Sequence, residues 1–418
     1  MKSTEARDLG WMASRALSQG TSAVRGTHAM VSDTVYDVIG ATIGPASTPV
    51  RAAQDAVTTT AYAATGLALS ATARVAGFVA EARLRTQDHE RGSIHDGRAV
   101  HTIGVGLGLV GDTLVDGAAS VAPAMHVRLA GRAVESTTAG LARAYGRVSP
   151  QVAVFVHGLF ETEAAWRLRA SERAPYAERL AADLDFTPVT VRYNTGLHVS
   201  DNGRALARLL SVLAGAWPVP LTRVVLIGHS MGGLVIHSAL AQGDGVADAP
   251  WLSLVTDTVT LGSPHHGSPI ARGVSRVAWR LAAVERARPL ANVLGWRSAG
   301  VRDMNHGDVV PADWQEHDPD DPADHRTHPA PWPGARHRAI VGVAGSALPG
   351  PLADVVGDVV VPVASASHAE GPSVTRRFAD EDVAAVLGVT HLGLLNHDGV
   401  YAHLHRWLST SAESNARY

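Results

Sequence analysis

A serine hydroxyl is a weak nucleophile at neutral pH. It becomes effective only when the fold exposes it beside a base and beside donors for the developing oxyanion. The run Arg223-Val-Val-Leu-Ile-Gly228-His229-Ser230-Met231-Gly232-Gly233 has the pattern for this. A short apolar strand leads into a turn at Ser230, and Leu234-Val-Ile continues as a helix. Gly228 and Gly232 remove the side chains that would collide where strand and helix approach, and the backbone at Ser230 is expected to be strained. The helix opening after Ser230 brings a positive dipole end and free N–H groups to the site of developing charge. An accidental GxSxG would lack this strand before it and this helix after it.

A second strand, Val152-Ala-Val-Phe-Val, ends in His157-Gly158-Leu159-Phe160. A strand that stops at His-Gly makes a tight turn whose backbone amide can point at a substrate carbonyl oxygen. The Leu159 N–H is then expected to pair with the Met231 N–H as the oxyanion hole. The plainer reading, that His157 only caps a strand, does not use its place in the chain ahead of the nucleophile.

Such loops need a frame that brings strand ends to one edge. From Gln151 onward, apolar strands alternate with helices. The strands are predicted over Val152 to Val156, Pro188 to Tyr193, Arg223 to Ile227, Val255 to Leu261, His337 to Val343 and Ala384 to Val389. Helices are predicted over Arg204 to Ala216, from Leu234 onward, and over Val400 to Leu408. This alternation implies a parallel sheet covered on both faces. Residues 268–336 interrupt it, helical at first and then a loop crowded with Asp, His and Pro from Asp318 to Pro333. Before residue 149, Ala, Val, Thr and Gly dominate, and Ala53 to Arg83 carries apolar residues at helical spacing. A chain of 418 residues is long for one core. The expected division is a helical region over 1–148 and an α/β domain over 149–418, with 268–336 inserted in it.

With 46% hydrophobic and 18% charged residues, the chain belongs with folded proteins. A net charge of -3 without a basic run gives no reason to expect nucleic acid as a partner. The lack of cysteine excludes disulfides, thiolate catalysis and zinc-thiolate sites. Met1 to Gly20 carries Glu5, Asp8 and Arg15 and has no unbroken apolar core, which makes a poor signal peptide. Ile103 to Met125 is long enough to span a bilayer, but Asp112 and Asp116 would each cost about 2.5–3.5 kcal/mol at its centre. A buried or amphipathic helix is expected there. The expected compartment is the cytoplasm, with at most weak peripheral attachment to a membrane or lipid surface.

In order along the chain, His157-Gly158-Leu159 in its strand, Gly228 to Gly233, and Thr260-Leu-Gly-Ser-Pro264-His265-His266-Gly267-Ser268 resemble bacterial lipases and esterases. These belong to the α/β-hydrolase superfamily, and the likeness is strongest to the group that includes the GPI inositol-deacylase-like hydrolases. The resemblance runs from Gln151 to the end. It implies the α/β-hydrolase fold and a triad in the chain order Ser, Asp, His. In such enzymes the acid sits in an Asp-Gly-x-Val-Pro segment after a late strand. Here the segment reads Gly357-Asp358-Val-Val-Val-Pro362, without glycine after the aspartate. The resemblance therefore implies Asp358, with Asp354 as competitor. Gly388-Val-Thr-His391 resembles the end of such enzymes and makes His391 the base. The loop after a terminal strand also opens on the same edge as Ser230. His397 is the rival, whereas His403 and His405 lie inside the last helix. Residues 268–336 stand where lipases carry a lid, and Trp279, Leu281, Leu290, Val293, Leu294 and Trp296 would face an acyl group. The alternative is a packed helical insertion.

No cofactor is implied. Adjacent His265 and His266 point differently and read as structural or site-lining residues, and the run from His317 to His328 reads as solvated loop, so no metal is expected. The expectation is a serine hydrolase acting on a small-molecule or lipid ester with a hydrophobic acyl group, through an acyl-enzyme. An intracellular polyester depolymerase, an amidase or an acyltransferase would use the same triad. A lipid-associated scaffold with a vestigial core is the non-enzymatic alternative. The helical runs before residue 149 have too few charges to be solvated on every face. They are expected to fold against the hydrolase and narrow access to its site.

Overall fold

The computed structural model describes residues 4–15, 17–18, 21–22, 25, 29, 32, 48–85, 100–114, 124–243, 249–269, 271–272, 297–318, 321, 323–344, 357–358, 360–368 and 378–415. Asp354 and the lid positions Trp279, Leu281, Leu290, Val293, Leu294 and Trp296 lie outside these residues.

The strands are β1 (His126–Leu129), β2 (Arg132–Ala133), β3 (Gln151–Val156), β4 (Thr187–Arg192), β5 (Arg223–His229), β6 (Val255–Leu261), β7 (Arg336–Val343) and β8 (Val383–Leu387). They form one sheet of order β2-β1-β4-β3-β5-β6-β7-β8. β3 to β8 are parallel, while β1 is antiparallel to both β2 and β4. Helices that bear on the site and its cover are α1 (Thr48–Arg85), α2 (Val100–Val110), α3 (Thr138–Tyr145), α4 (Tyr176–Leu184), α5 (Val199–Ala216), α6 (Met231–Gly243), α7 (Ala299–Asp303) and α8 (Asp398–Asn415).

β3 shows why the sheet needs cover on both faces. Val152, Val154 and Val156 join one core together with Val224 and Leu226 of β5. Ala153 and Phe155 join the other with Val225 and Ile227. Successive strand residues point to opposite faces, so the unbroken apolar run from Val152 to Val156 serves two cores at once. α5 and α6 close the first face with Leu206, Leu210, Leu213, Leu234 and Val235. α4 and α8 close the second with Leu180, Val400, Leu404 and Leu408. Charges inside the sheet are paired: Asp257 of β6 bridges Arg223 of β5, at 2.9 Å, and Arg338 of β7, and all three are buried.

The sheet also takes in residues ahead of position 149. β1 pairs with β4, Val127 is fully buried, and Arg128 stands 3.3 Å from buried Glu163. α2 lies across the loops that follow β3 and β4. Gly104 packs on the carbonyls of Phe160 and Glu161, Gly108 on the Phe160 ring, and Gly111 on Asn194. The Asn194 amide donates to the Gly111 carbonyl at 2.8 Å, and Ser298 Oγ donates to the Gly108 carbonyl at 2.6 Å. A side chain at Gly104 or Gly108 would lift this helix off its seat.

α1 contacts the helical residues 4–15, where Gly10 faces Gly77, Ser70 Oγ donates to the Ser14 carbonyl and Arg74 Nε to Ser14 Oγ. It also meets Thr21 at Gly66 and Ser32 at Gln54, and most of its other residues are exposed. Gln54–Ala82 is, among the described residues, a helix long and apolar enough to cross a membrane by length and composition, with 6% of its most apolar window buried.

Candidate active site

Ser230 occupies the turn between β5 and α6 with a left-handed φ of 52°. A non-glycine residue accepts that conformation only where its surroundings hold it. Here the Ser230 N–H donates to the Leu261 carbonyl at 2.9 Å and its carbonyl accepts the Gly233 N–H at 3.1 Å. A side chain at Gly228 would strike the backbone of Gly232 and Gly233, and one at Gly232 would strike the carbonyls of Val156 and His157. Both glycines therefore permit the close approach expected from the motif. Met231, the first residue of α6, is fully buried.

Asp358 and His391 come together at the ends of β7 and β8. His391 Nδ1 lies 2.6 Å from Asp358 Oδ2, and the His391 N–H donates to the Asp358 carbonyl at 3.0 Å. Asp358 Oδ1 accepts the N–H groups of Val360, at 3.0 Å, and Val361, at 2.8 Å. Gly262, which follows β6, has its open side against Asp358 Oδ2 and His391 Nδ1. Because Leu261 accepts the Ser230 N–H, one two-residue step links the serine turn to the Asp–His pair. His397 is separate: its N–H and carbonyl meet the Tyr176 hydroxyl.

The loop after β3 completes this edge. Gly158 packs on Ser230 Cβ, and Phe160 takes a left-handed φ of 63°. His157 is fully buried, stacks on Tyr193 at 4.3 Å, and its carbonyl accepts the Tyr193 hydroxyl at 2.6 Å. Burial lowers the His157 pKa against the hydrogen bond to the Gly158 carbonyl. Glu161 accepts the Gly158 N–H at 2.7 Å and faces His229 Nδ1 at 3.0 Å. Burial alone would raise the Glu161 pKa, but the His229 charge and hydrogen bond outweigh it, and the carboxyl is held below its ordinary value. His229 is the reverse case: burial alone would lower its pKa, and Glu161 drives it above the ordinary value.

Ser230, the Asp–His pair, Gly262 and the Gly158–Glu161 turn all follow the carboxyl ends of parallel strands, where open α/β sheets place their sites. The fold is the α/β-hydrolase fold. Residues 148–340 match the PGAP1-like alpha/beta domain. No curated protein matches the chain. Among solved structures, the mature lipase BlEst2 of Bacillus licheniformis is similar at 20% identity and a TM-score of 0.37, over 62% of this chain and 94% of that one. A putative aryl esterase from Burkholderia cenocepacia is similar at 16% identity and a TM-score of 0.33, over 64% and 93%. Phospholipase PlaB of Legionella pneumophila is similar at 18% identity and a TM-score of 0.31, over 58% and 52%.

Several large residues exposed near this edge are apolar. Phe160 follows Leu159, Leu392 follows His391, Val360 stands two residues after Asp358, and Val105 and Leu109 lie on α2. His265 and His266 sit instead in an aromatic cluster with His368 and Phe378, at 5.4 Å from His265 to His368 and 4.5 Å from His266 to His368. Among the described residues no group of three His, Asp or Glu has metal-binding geometry. The sequence reading expected helices ahead of residue 149 to fold against the α/β domain, but not that Gly104 and Gly108 seat α2 on the loop after β3. It missed the Glu161–His229 pair, for which the available signal was an acidic residue four positions after His157.

Proposed function

We propose that this chain is a serine esterase of the lipase type, cleaving carboxylic esters with an apolar acyl group through an acyl-enzyme. The observation that carries the proposal is a left-handed Ser230 on the β5–α6 turn, whose N–H bonds Leu261 while the next residue, Gly262, packs on the Asp358–His391 pair.

Ser230 Oγ attacks the ester carbonyl carbon while His391 Nε2 takes its proton. The Asp358 carboxylate on Nδ1 fixes the tautomer and stabilises the imidazolium. The tetrahedral oxygen receives the N–H groups of Leu159 and Met231. The second comes from the first turn of a helix, where backbone donors have no intrahelical acceptor. Collapse breaks the ester C–O bond, and the alcohol leaves with the proton held by His391. Water, deprotonated by His391, then attacks the acyl carbon and releases the acid and Ser230. The apolar rim of Phe160, Leu392, Val105 and Leu109 suits a hydrocarbon acyl chain more than a charged one.

Labelling by a fluorophosphonate and turnover of p-nitrophenyl esters of graded chain length test the proposal together. Labelling lost in Ser230→Ala, with preference for longer acyl chains, supports it. Neither labelling nor turnover in the wild type sinks it.

A second part of this reading concerns α1, whose Val57, Leu67, Val75 and Phe78 are exposed on a helix of bilayer-compatible length. This supports attachment to a lipid surface. Flotation of the full chain with phosphatidylcholine vesicles, lost on removal of residues 1–99, is the expected result; a full chain that stays at the bottom of the gradient removes it.

A further inference from the structure

His229 lies between two groups that both need a proton from it. Its Nε2 is 3.1 Å from the His391 carbonyl oxygen, which can only accept. Its Nδ1 is 3.0 Å from one Glu161 oxygen and 3.1 Å from the other. With a carboxylate on one side and a carbonyl on the other, both ring nitrogens carry hydrogen and the ring is an imidazolium. It is fully buried, its ring lies 4.7 Å from that of His391, and the edge of Trp166 closes it off at 6.4 Å. A buried cation of this kind is tolerated only with its counter-charge, which Glu161 supplies.

The second function of Glu161 is on the other loop. Its Oε2 accepts the Gly158 N–H, and the Glu161 N–H closes a turn on the Gly158 carbonyl at 3.3 Å. That turn holds Leu159 and the left-handed Phe160. One carboxylate thus ties the turn that carries the Leu159 N–H to the imidazolium that donates to the His391 carbonyl. Asp358 holds the same residue at its N–H, which its carbonyl accepts.

We infer that the buried Glu161–His229 ion pair is a positioning device of the ester hydrolase proposed above, coupling the Gly158–Phe160 turn to the backbone of His391. Neither residue touches substrate. Glu161 sets where the Leu159 N–H points, His229 sets where the His391 ring sits, and the pair makes these one adjustment. Since both groups act on the transition state more than on bound ester, loss of the pair lowers kcat and leaves KM nearly unchanged.

The test measures kcat and KM on a soluble short-chain p-nitrophenyl ester for wild type, Glu161→Gln, His229→Gln and the double variant. Each single change is expected to lower kcat about 10–100-fold, the scale of small misplacements of reacting groups, with KM within about threefold. The double variant is expected to be no slower than the worse single one, because the two residues work as a unit. Singles within twofold of wild type, or losses that multiply in the double variant, overturn the inference while leaving the hydrolase intact. A wild type without turnover or fluorophosphonate labelling fails the underlying hydrolase reading instead. Nitrogen-15 NMR of the wild-type histidines gives a readout that needs no variant to fold: one buried ring with both nitrogens protonated at pH 8 is expected. All rings neutral at that pH overturn the inference.

Discussion

Asp358 holds His391 twice, by its carboxylate on Nδ1 at 2.6 Å and by its carbonyl on the His391 N–H at 3.0 Å. The first contact orients the ring and the second fixes the backbone that carries it. An amide at this position keeps the shape and the backbone contact but favours the wrong tautomer. Asp358→Asn is therefore expected to lower kcat by about 10⁴ with little change in melting temperature, and Ser230→Ala by at least as much. Steady-state ester kinetics beside thermal melting check this. Near-normal turnover in Asp358→Asn would move the acid elsewhere, with Asp354 the next variant to make.

Gly262 offers a subtler probe of the same pair. Its φ of 58° suits glycine, and an added Cβ would stand 2.7 Å from Asp358 Oδ2 and 3.2 Å from His391 Nδ1. Gly262→Ala should cost about 1–2 kcal/mol of stability from the left-handed backbone alone. The collision with the carboxylate adds a loss in kcat that a purely structural lesion would not produce. Urea unfolding with ester kinetics separates the two, and a variant of unchanged kcat would show that the pair tolerates displacement.

The parallel sheet was legible because the strands from β3 to β8 are short, mostly apolar runs bounded by turn residues, and the observed ends fall within two residues of the expected ones. The Ser230 turn was legible for a different reason: Gly228 and Gly232 have no substitute where backbones approach this closely. β1 was missed because His126-Val-Arg-Leu is too short and too charged to read as a strand. Its Arg128 is acceptable in the sheet only because Glu163, from a distant segment, pairs with it. The same holds for Glu161 and His229, 68 positions apart. Long-range charge pairing leaves no periodicity behind, so one sequence does not reveal it.

Because β1 covers the edge of β4, the point of truncation matters. A fragment of residues 149–418 would expose the β4 edge and the site of fully buried Val127, and unpaired edges recruit other chains. That fragment is expected to aggregate or melt well below one spanning 124–418. Size-exclusion chromatography and thermal melting of the two fragments decide it. Equal behaviour would show that β1 is dispensable for stability.

Asp257 carries the charge balance of the second half of the sheet, between Arg223 and Arg338. Asp257→Ala leaves two buried guanidinium groups without it, and removal of one partner from such a buried set costs about 3–5 kcal/mol. The denaturation midpoint in urea should fall accordingly. A loss below about 1 kcal/mol would mean that neighbouring groups, Asp382 at 3.3 Å from Arg338 first among them, take over the pairing.

Asp308 gives a prediction with a defined sign. Burial, with Asp303 and Asp313 beside it, pushes its carboxyl up from 3.8 to about 9. Below pH 3.8 both folded and unfolded chains hold the proton and the residue is neutral toward stability. As pH rises through that value the unfolded chain ionises while the folded chain does not, so folding must take up a proton and stability falls. The fall continues until the folded carboxyl itself ionises near pH 9. Asp308→Asn removes this penalty. The variant should therefore gain stability over wild type progressively between pH 4 and pH 9, with the gain at pH 8 clearly larger than at pH 5. Urea unfolding of both proteins across that range is the measurement. A difference between them that does not change with pH would mean that Asp308 is already ionised in the folded protein, with a cation or a guanidinium neutralising it.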